Sequence, residues 1–274
     1  MHRTDGFPSP VVSCEWLLKN RHKKELVVLD ASVYSESESL ARKIISEAKY
    51  VDIKRKLSDS NGEFPNTFPS QVQFEIEVRK LGINNESLIV VYDNKGVYWS
   101  PRVWWLFKSF GHQNVAVLDG GLPEWQRLGF ETTFYREHQL NQHGNFTANY
   151  QADKMRFFYH INEISKNEDA IILDARSEDR FKSIIPEPRA GLRSGTIPNS
   201  ENLPYTSLFD GHCLRPKEDL KTIFSAFNIG SRKLTFSCGS GITACILALA
   251  AEIVGIKNLS VYDGSWTEYG TLTK

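Results

Sequence analysis

Cys238 opens the run Cys238-Gly-Ser-Gly-Ile-Thr-Ala244, in which two glycines flank Ser240 and an apolar stretch of helical period, Thr243–Val254, follows at once. Glycine reaches backbone conformations closed to other residues, so successive N–H groups in such a loop can turn inward as an anion-binding nest above a helix start. A thiol placed there has its ionised form favoured by the N–H groups and by the positive helix end, and such thiols fall well below the free value of about 8.5. The chemistry expected is nucleophilic attack by a thiolate. The plainer reading of any thiol is a buried structural cysteine. Structural cysteines, however, sit in apolar runs, and packing has no use for two glycines around a serine. Cys245 fits the plainer description, because it lies along the apolar run Ala244–Ala251 and is expected in the core. Cys14 sits beside Trp16 and Leu17 in an amphipathic stretch and Cys213 in a polar loop, and neither has an activating neighbour in the sequence.

The elements that must position Cys238 come in duplicate. Glu25-Leu-Val-Val-Leu-Asp-Ala-Ser32 recurs as Asp169-Ala-Ile-Ile-Leu-Asp-Ala-Arg176, an offset of 144 positions between Asp30 and Asp174. The same offset carries Gly111, Asn114, Asp119, Gly120, Glu124 and Trp125 onto Gly255, Asn258, Asp263, Gly264, Glu268 and Tyr269. A period this long means a duplicated domain rather than a solenoid, whose repeats run at roughly 20–50 residues. In each copy three short apolar runs read as strands buried on both faces: Leu26–Leu29, Leu88–Tyr92 and Val115–Leu118, then Ile171–Leu173, Leu234–Ser237 and Leu259–Tyr262. Helical stretches at Arg102–Phe110 and Thr243–Val254 follow the second strand of each triplet, as crossover helices of a mainly parallel sheet would. The expected fold class is α/β, with two tandem three-layer α/β/α domains spanning 1–134 and 156–274 and a polar linker, Tyr135–Met155, between them. Ligand sites in open α/β sheets lie outside the carboxyl ends of strands, where Cys238 falls. In the first copy Asp93 holds that place, in Tyr92-Asp-Asn-Lys-Gly96, so that half is expected to be inactive.

Composition narrows the partners. Thirty-three Lys and Arg balance thirty-three Asp and Glu, which removes the electrostatic footprint of a nucleic-acid binder or a polybasic membrane binder. A small molecule or a protein is the expected partner. The first ten residues show no apolar leader pattern and the four cysteines form neither a disulfide framework nor a C-x-x-C pair, so a cytoplasmic location is expected, without metal or organic cofactor.

Cys238-Gly-Ser-Gly-Ile-Thr-Ala244 together with Val261-Tyr-Asp-Gly-Ser-Trp266 resembles the tandem-rhodanese sulfurtransferase family, in its mercaptopyruvate branch. The likeness spans nearly the whole chain: Ser100-Pro-Arg-Val-Trp-Trp-Leu-Phe107 and Val117-Leu-Asp-Gly-Gly-Leu-Pro-Glu-Trp125 are similar to the family's inactive first domain, where an Asp also replaces the cysteine. The resemblance implies that Cys238 takes sulfur from 3-mercaptopyruvate as a persulfide, releases pyruvate and hands the sulfur to cyanide or to a thiol acceptor such as thioredoxin. It implies Ser240 as the proton relay. By position in Asp174-Ala-Arg-Ser-Glu-Asp-Arg-Phe181 and Pro186-Glu-Pro-Arg189, it also implies Arg180 and Arg189 as the donor's carboxylate and carbonyl ligands. The resemblance extends that donor site to the loop residues Gly239, Gly241, Ile242 and Thr243. Independently of family, two planar guanidinium groups aimed at one pocket suit an α-keto acid. Arg176, two residues after Asp174, reads instead as its structural partner.

The chain departs from the family's pattern where a histidine would join the relay. The matching stretches read Ile44-Ile-Ser-Glu-Ala48 and Pro65-Asn-Thr-Phe-Pro69, with Asn66 at a histidine's place, and the second domain has Ser194-Gly-Thr-Ile-Pro198. None of the seven histidines (His2, His22, His112, His138, His143, His160, His212) stands in a matching motif. Two other readings therefore stay open: a thiosulfate sulfurtransferase, and a persulfide-binding or sensing module with little turnover. A phosphatase on this fold would need an arginine closing its loop around phosphate, and Cys238 to Thr243 contains none.

Overall fold

The computed structural model describes residues 6–35, 42–135, 142–167 and 169–273; His2, His138 and part of the expected linker, 136–141, lie outside them. Ten strands form two all-parallel sheets. They are β1 (Val11–Val12), β2 (Leu26–Asp30), β3 (Lys49–Tyr50), β4 (Leu88–Tyr92), β5 (Val115–Leu118), β6 (Met155–Arg156), β7 (Ala170–Asp174), β8 (Ser200–Asn202), β9 (Lys233–Ser237) and β10 (Leu259–Tyr262). The strand order is β1-β5-β4-β2-β3 in one sheet and β6-β10-β9-β7-β8 in the other. The two orders are identical once the second is aligned on the first, so the duplicated sequence has produced a duplicated topology. Every pair within these sheets is parallel. Helices flank them: Ser100–Ser109 packs on β4 and β5, and Ala244–Val254 on β9 and β10. Each helix follows the central strand of its sheet directly, which puts the strand-to-helix loop at the carboxyl edge.

The central strands are apolar at nearly every position because both faces are covered. All of Leu88–Tyr92 and Leu234–Ser237 is buried. The α/β reading of the sequence, with two mainly parallel sheets, describes the molecule.

The chain divides into two compact units: Met1–Ser60, Pro69–Tyr150 and Gly211–Leu214, against Asn61–Phe68, Gln151–Asp210 and Arg215–Lys274. Residues 142–150, expected as part of a linker, pack within the first unit. The cause is Phe146, which is buried to 1% exposure and sets its ring 5.9 Å from both Phe74 and Phe107. Backbone bonds from Gly144 to Arg79 and from Phe146 to Ile83 hold the segment there. At the far end of the same stretch, Met155 begins the edge strand β6 of the second sheet. Short segments are also exchanged: 61–68 belongs with the second unit and 211–214 with the first.

Phe146→Ala leaves a cavity among Phe74, Phe107 and His112, and the expected loss is about 3–5 kcal/mol of stability. Urea unfolding measures it, and a loss below about 1 kcal/mol would show that the segment is not part of this core.

Candidate active site

Strand β9 delivers Cys238 to the carboxyl edge of the second sheet, where its side chain is 1% exposed. The loop that follows turns at Gly241, whose φ of +75° suits glycine, and enters the helix Ala244–Val254. Inward N–H groups were expected to gather on the sulfur. They gather instead on a hydroxyl: the N–H groups of Cys238 and Gly241 donate to Ser265 Oγ at 3.1 and 3.2 Å. Ser265 Oγ lies 3.8 Å from Cys238 Sγ and 2.9 Å from the Tyr262 carbonyl. A hydroxyl has two lone pairs and one proton. Both lone pairs of Ser265 are taken by the loop, and its proton has the sulfur and the Tyr262 oxygen as acceptors. The carbonyls point outward to the next helix, with Trp266 N–H on Cys238 O and Thr267 N–H on Gly239 O.

Ser265 sits at φ +51°, a left-handed conformation costly for a residue with a Cβ. Its counterpart under the internal repeat is Gly121, at φ +52°. There a Cβ would come within 2.3 Å of the Gly96 carbonyl oxygen, so glycine is required. The second domain accepts the backbone strain and gains a hydroxyl beneath its cysteine loop, an arrangement common where strain serves a site. The sequence reading passed over Ser265. The signal available was the replacement of a repeat-related glycine by serine in Asp263-Gly-Ser265.

In the first unit Asp93 holds the corresponding position, and its carboxylate fills its own loop. Oδ1 accepts the N–H of Lys95, and Oδ2 accepts those of Tyr98, Trp99 and Ser100, at 2.8–2.9 Å, together with the Ser100 hydroxyl at 2.7 Å. The start of the helix Ser100–Ser109 is thus capped by an internal anion.

Of the predicted arginines, Arg180 stands beside Gly239 and Arg189 is linked to it through Thr267. Arg180 Nη2 lies 3.2 Å from where a Gly239 Cβ would stand, and Arg189 Nη1 donates to Thr267 Oγ1, which itself donates to Gly239 O. Arg180 is anchored from behind by an alternating ladder of charge. Asp174 pairs with Arg176 at 2.8 Å, Arg176 with Glu187 at 2.8 Å, and Glu187 with Arg180 at 2.6 Å. The first three of these side chains are 0–1% exposed and that of Arg180 is 25% exposed. Two negative and two positive charges leave no net charge on the ladder, and removing one partner would strand a buried charge at a cost of about 3–5 kcal/mol. Arg176 is the structural partner anticipated for Asp174, and its guanidinium also covers the Trp266 ring at 4.8 Å. Glu187 and Thr267 went unnoticed in the sequence, since their roles exist only once three separated segments meet.

Ser240, partly exposed, meets Asn66. Asn66 Nδ2 lies 3.1 Å from Ser240 Oγ and 3.2 Å from Ser240 O. Ile242 is buried in the loop and Thr243 is half-buried at the helix start. Among the described residues no histidine bonds to Cys238, Ser240, Arg180 or Arg189; His112, for one, is buried against the Ser87 carbonyl, and burial lowers its pKa. Cys245 is buried and donates to Gly241 O. Cys14 and Cys213 are thiols that burial pushes up to about 12, the opposite of activation. Among the described residues no group of three His, Cys, Asp or Glu side chains is arranged to hold a metal ion, and no helix is long and apolar enough to cross a membrane.

Because Ser265 combines a strained backbone with a needed hydroxyl, Ser265→Ala and Ser265→Gly should both lower the melting temperature. Glycine relieves the left-handed penalty and should be the milder by about 1 kcal/mol. Thermal denaturation of the pair reads this directly, and the reverse order would mean that φ at this position is not strained.

The model of the rhodanese-like domain matches residues 13–128 and again 160–271. An Arabidopsis thaliana protein, thiosulfate/3-mercaptopyruvate sulfurtransferase 1, mitochondrial, is 36% identical over 96% of this chain and 76% of its own length. The 3-mercaptopyruvate sulfurtransferase of Escherichia coli strain K12 is 32% identical, with 94% of each chain covered. The crystal structure of SseA from Escherichia coli superposes with a TM-score of 0.82 at 29% identity, covering 94% of this chain and 99% of that one. With two matched domains, the same sheet order twice and a cysteine at the carboxyl edge of the second, the chain belongs to the rhodanese-like family of sulfurtransferases.

Proposed function

We propose that the protein transfers sulfur from 3-mercaptopyruvate to a thiol or cyanide acceptor through a persulfide on Cys238. The observation that carries this reading is the placement of Arg180 beside Gly239, the residue next to the cysteine, with Arg189 linked to the same residue through Thr267. An α-keto acid offers a carboxylate and a carbonyl to such a pair of guanidinium groups, and its thiol sulfur then falls toward Cys238. Among the described residues Arg180 Nη1 has no protein partner, while its Nε and Nη2 are held by Glu187. The side chain is therefore oriented before the donor arrives.

The thiolate of Cys238 attacks the donor sulfur, an S–S bond forms, and the C–S bond breaks with its electron pair moving to carbon. The enolate so formed takes a proton and leaves as pyruvate. The proton released by the donor thiol balances the one taken up by carbon, and the Ser240 hydroxyl is suited to pass it on. An acceptor thiolate then attacks the outer sulfur and restores Cys238. A thioredoxin-type dithiol suits this second step, and free thiols in all four cysteines fit a reducing compartment such as the cytosol.

Incubation with 3-mercaptopyruvate and a thiol acceptor should release pyruvate catalytically from the wild type and not from Cys238→Ser. Equal release by both would reject the assignment, and one stable persulfide without turnover would mark a sulfur-binding module instead. The name of the Arabidopsis relative carries both donors, so thiocyanate formation from thiosulfate is the second assay. Here the absence of a cation between Cys238 and Thr243 predicts a slower reaction with this dianionic donor. Arg180→Lys, which loses the planar fork, should raise KM for 3-mercaptopyruvate about 10-fold or more. An unchanged KM would place the carboxylate elsewhere.

A further inference from the structure

We infer that Asn66 is a positioning residue for the sulfur-transfer step: its amide fixes the rotor of the Ser240 hydroxyl so that the serine's own proton faces the donor. The inference rests on the proposed 3-mercaptopyruvate reaction and concerns how that site works without a histidine.

The group of Asn66 that faces Ser240 must be its NH2, because one of the two atoms it meets, the Ser240 carbonyl oxygen at 3.2 Å, can only accept. The same nitrogen is 3.1 Å from Ser240 Oγ and donates to it. That bond occupies one lone pair of the hydroxyl and excludes its proton from the Asn66 side. One lone pair and one proton remain for the donor. The lone pair can take the proton of the donor thiol while the serine's proton goes to the carbon from which sulfur departs, so the hydroxyl ends as it began and no proton is lost or gained.

The surroundings hold Asn66 in this role. Its φ is +62°, a left-handed conformation that asparagine tolerates better than most residues. Thr67 Oγ1 closes the turn on the Phe64 carbonyl at 2.6 Å. The next N–H, that of Phe68, is bound at 2.7 Å by the carboxylate of Asp263, itself 4% exposed. Asp263 stands two residues before Ser265, the hydroxyl under the Cys238 loop. One short segment, Asp263-Gly-Ser265, therefore fixes both the loop that carries the nucleophile and the loop that carries Asn66. An amide carries no ionisable proton in the physiological range, so this orientation is kept at any pH at which the fold persists.

Two variants test the assignment. Asn66→Gly removes the amide while leaving the left-handed backbone unstrained; Asn66→Asp keeps the shape but turns an acceptor toward Ser240. Pyruvate release is followed in a single turnover with 3-mercaptopyruvate. In parallel, protein already persulfidated on Cys238 with inorganic polysulfide is discharged to cyanide, a step that needs no proton on carbon. Both variants should slow pyruvate release about 10-fold or more, with KM within about 3-fold of wild type and cyanide discharge within about 2-fold, as expected of an effect on the proton relay alone. Equal slowing of both half-reactions, or slowing of neither, would overturn the inference. A wild type that releases no pyruvate but still discharges a polysulfide-derived persulfide would overturn the donor reading itself, and the role of Asn66 with it.

Discussion

The carboxyl edge of the second sheet is organised around one hydroxyl. Ser265 Oγ collects the N–H groups of Cys238 and Gly241, the two ends of the Cys-Gly-Ser-Gly loop, and lies 3.8 Å from the sulfur. Removing it takes a hydrogen-bond acceptor from both of these N–H groups, a loss of about 1 kcal/mol each. The loop's carbonyls, facing the other way, are tied to Trp266 and Thr267. Ser265, Trp266 and Thr267 are consecutive, so a single helix start grips both faces of the loop. The strained φ of Ser265 follows from that geometry: the chain must turn sharply after β10 and still present a side chain inward.

Electrostatics orders the arginine side of the loop in the same way. Buried charges persist only when paired, and the ladder from Asp174 to Arg180 alternates sign at each step. Its inner end is fixed on strand β7 and its outer end stands over Gly239. The rigidity of the parallel sheet is thereby passed to a partly exposed guanidinium group, whose side-chain entropy is largely lost in folding.

The two halves of the chain show what one fold does with different loop chemistry. In the first, a carboxylate satisfies the N–H groups at the helix start, and the structure is complete without a ligand. In the second, Cys238 stands in place of the carboxylate and is itself buried, and the neighbouring Ser265 accepts the N–H groups of the loop. The two edges differ at two repeat-related positions in particular, Asp93 against Cys238 and Gly121 against Ser265.

Much of this was legible in the residues alone. Apolar runs at a fixed offset marked two sets of strands buried on both faces, and the helical stretch after the second strand of each set pointed to mainly parallel sheets. Cys238 was legible because two glycines beside a polar residue at a strand end have a local, backbone-level reason. Arg180 and Arg189 were named from motif position, and the fold places the first beside Gly239 and the second on Thr267. What only the tertiary structure decided are contacts between segments far apart in the chain: Asn66 on Ser240, Glu187 between two arginines, Phe146 drawing a polar stretch into the first core. The inward N–H groups were foreseen, but not that a hydroxyl 24 residues beyond Gly241 would receive them. Local conformation is written in neighbouring side chains, whereas the partner of a hydrogen bond is chosen by which segments packing brings within about 3 Å.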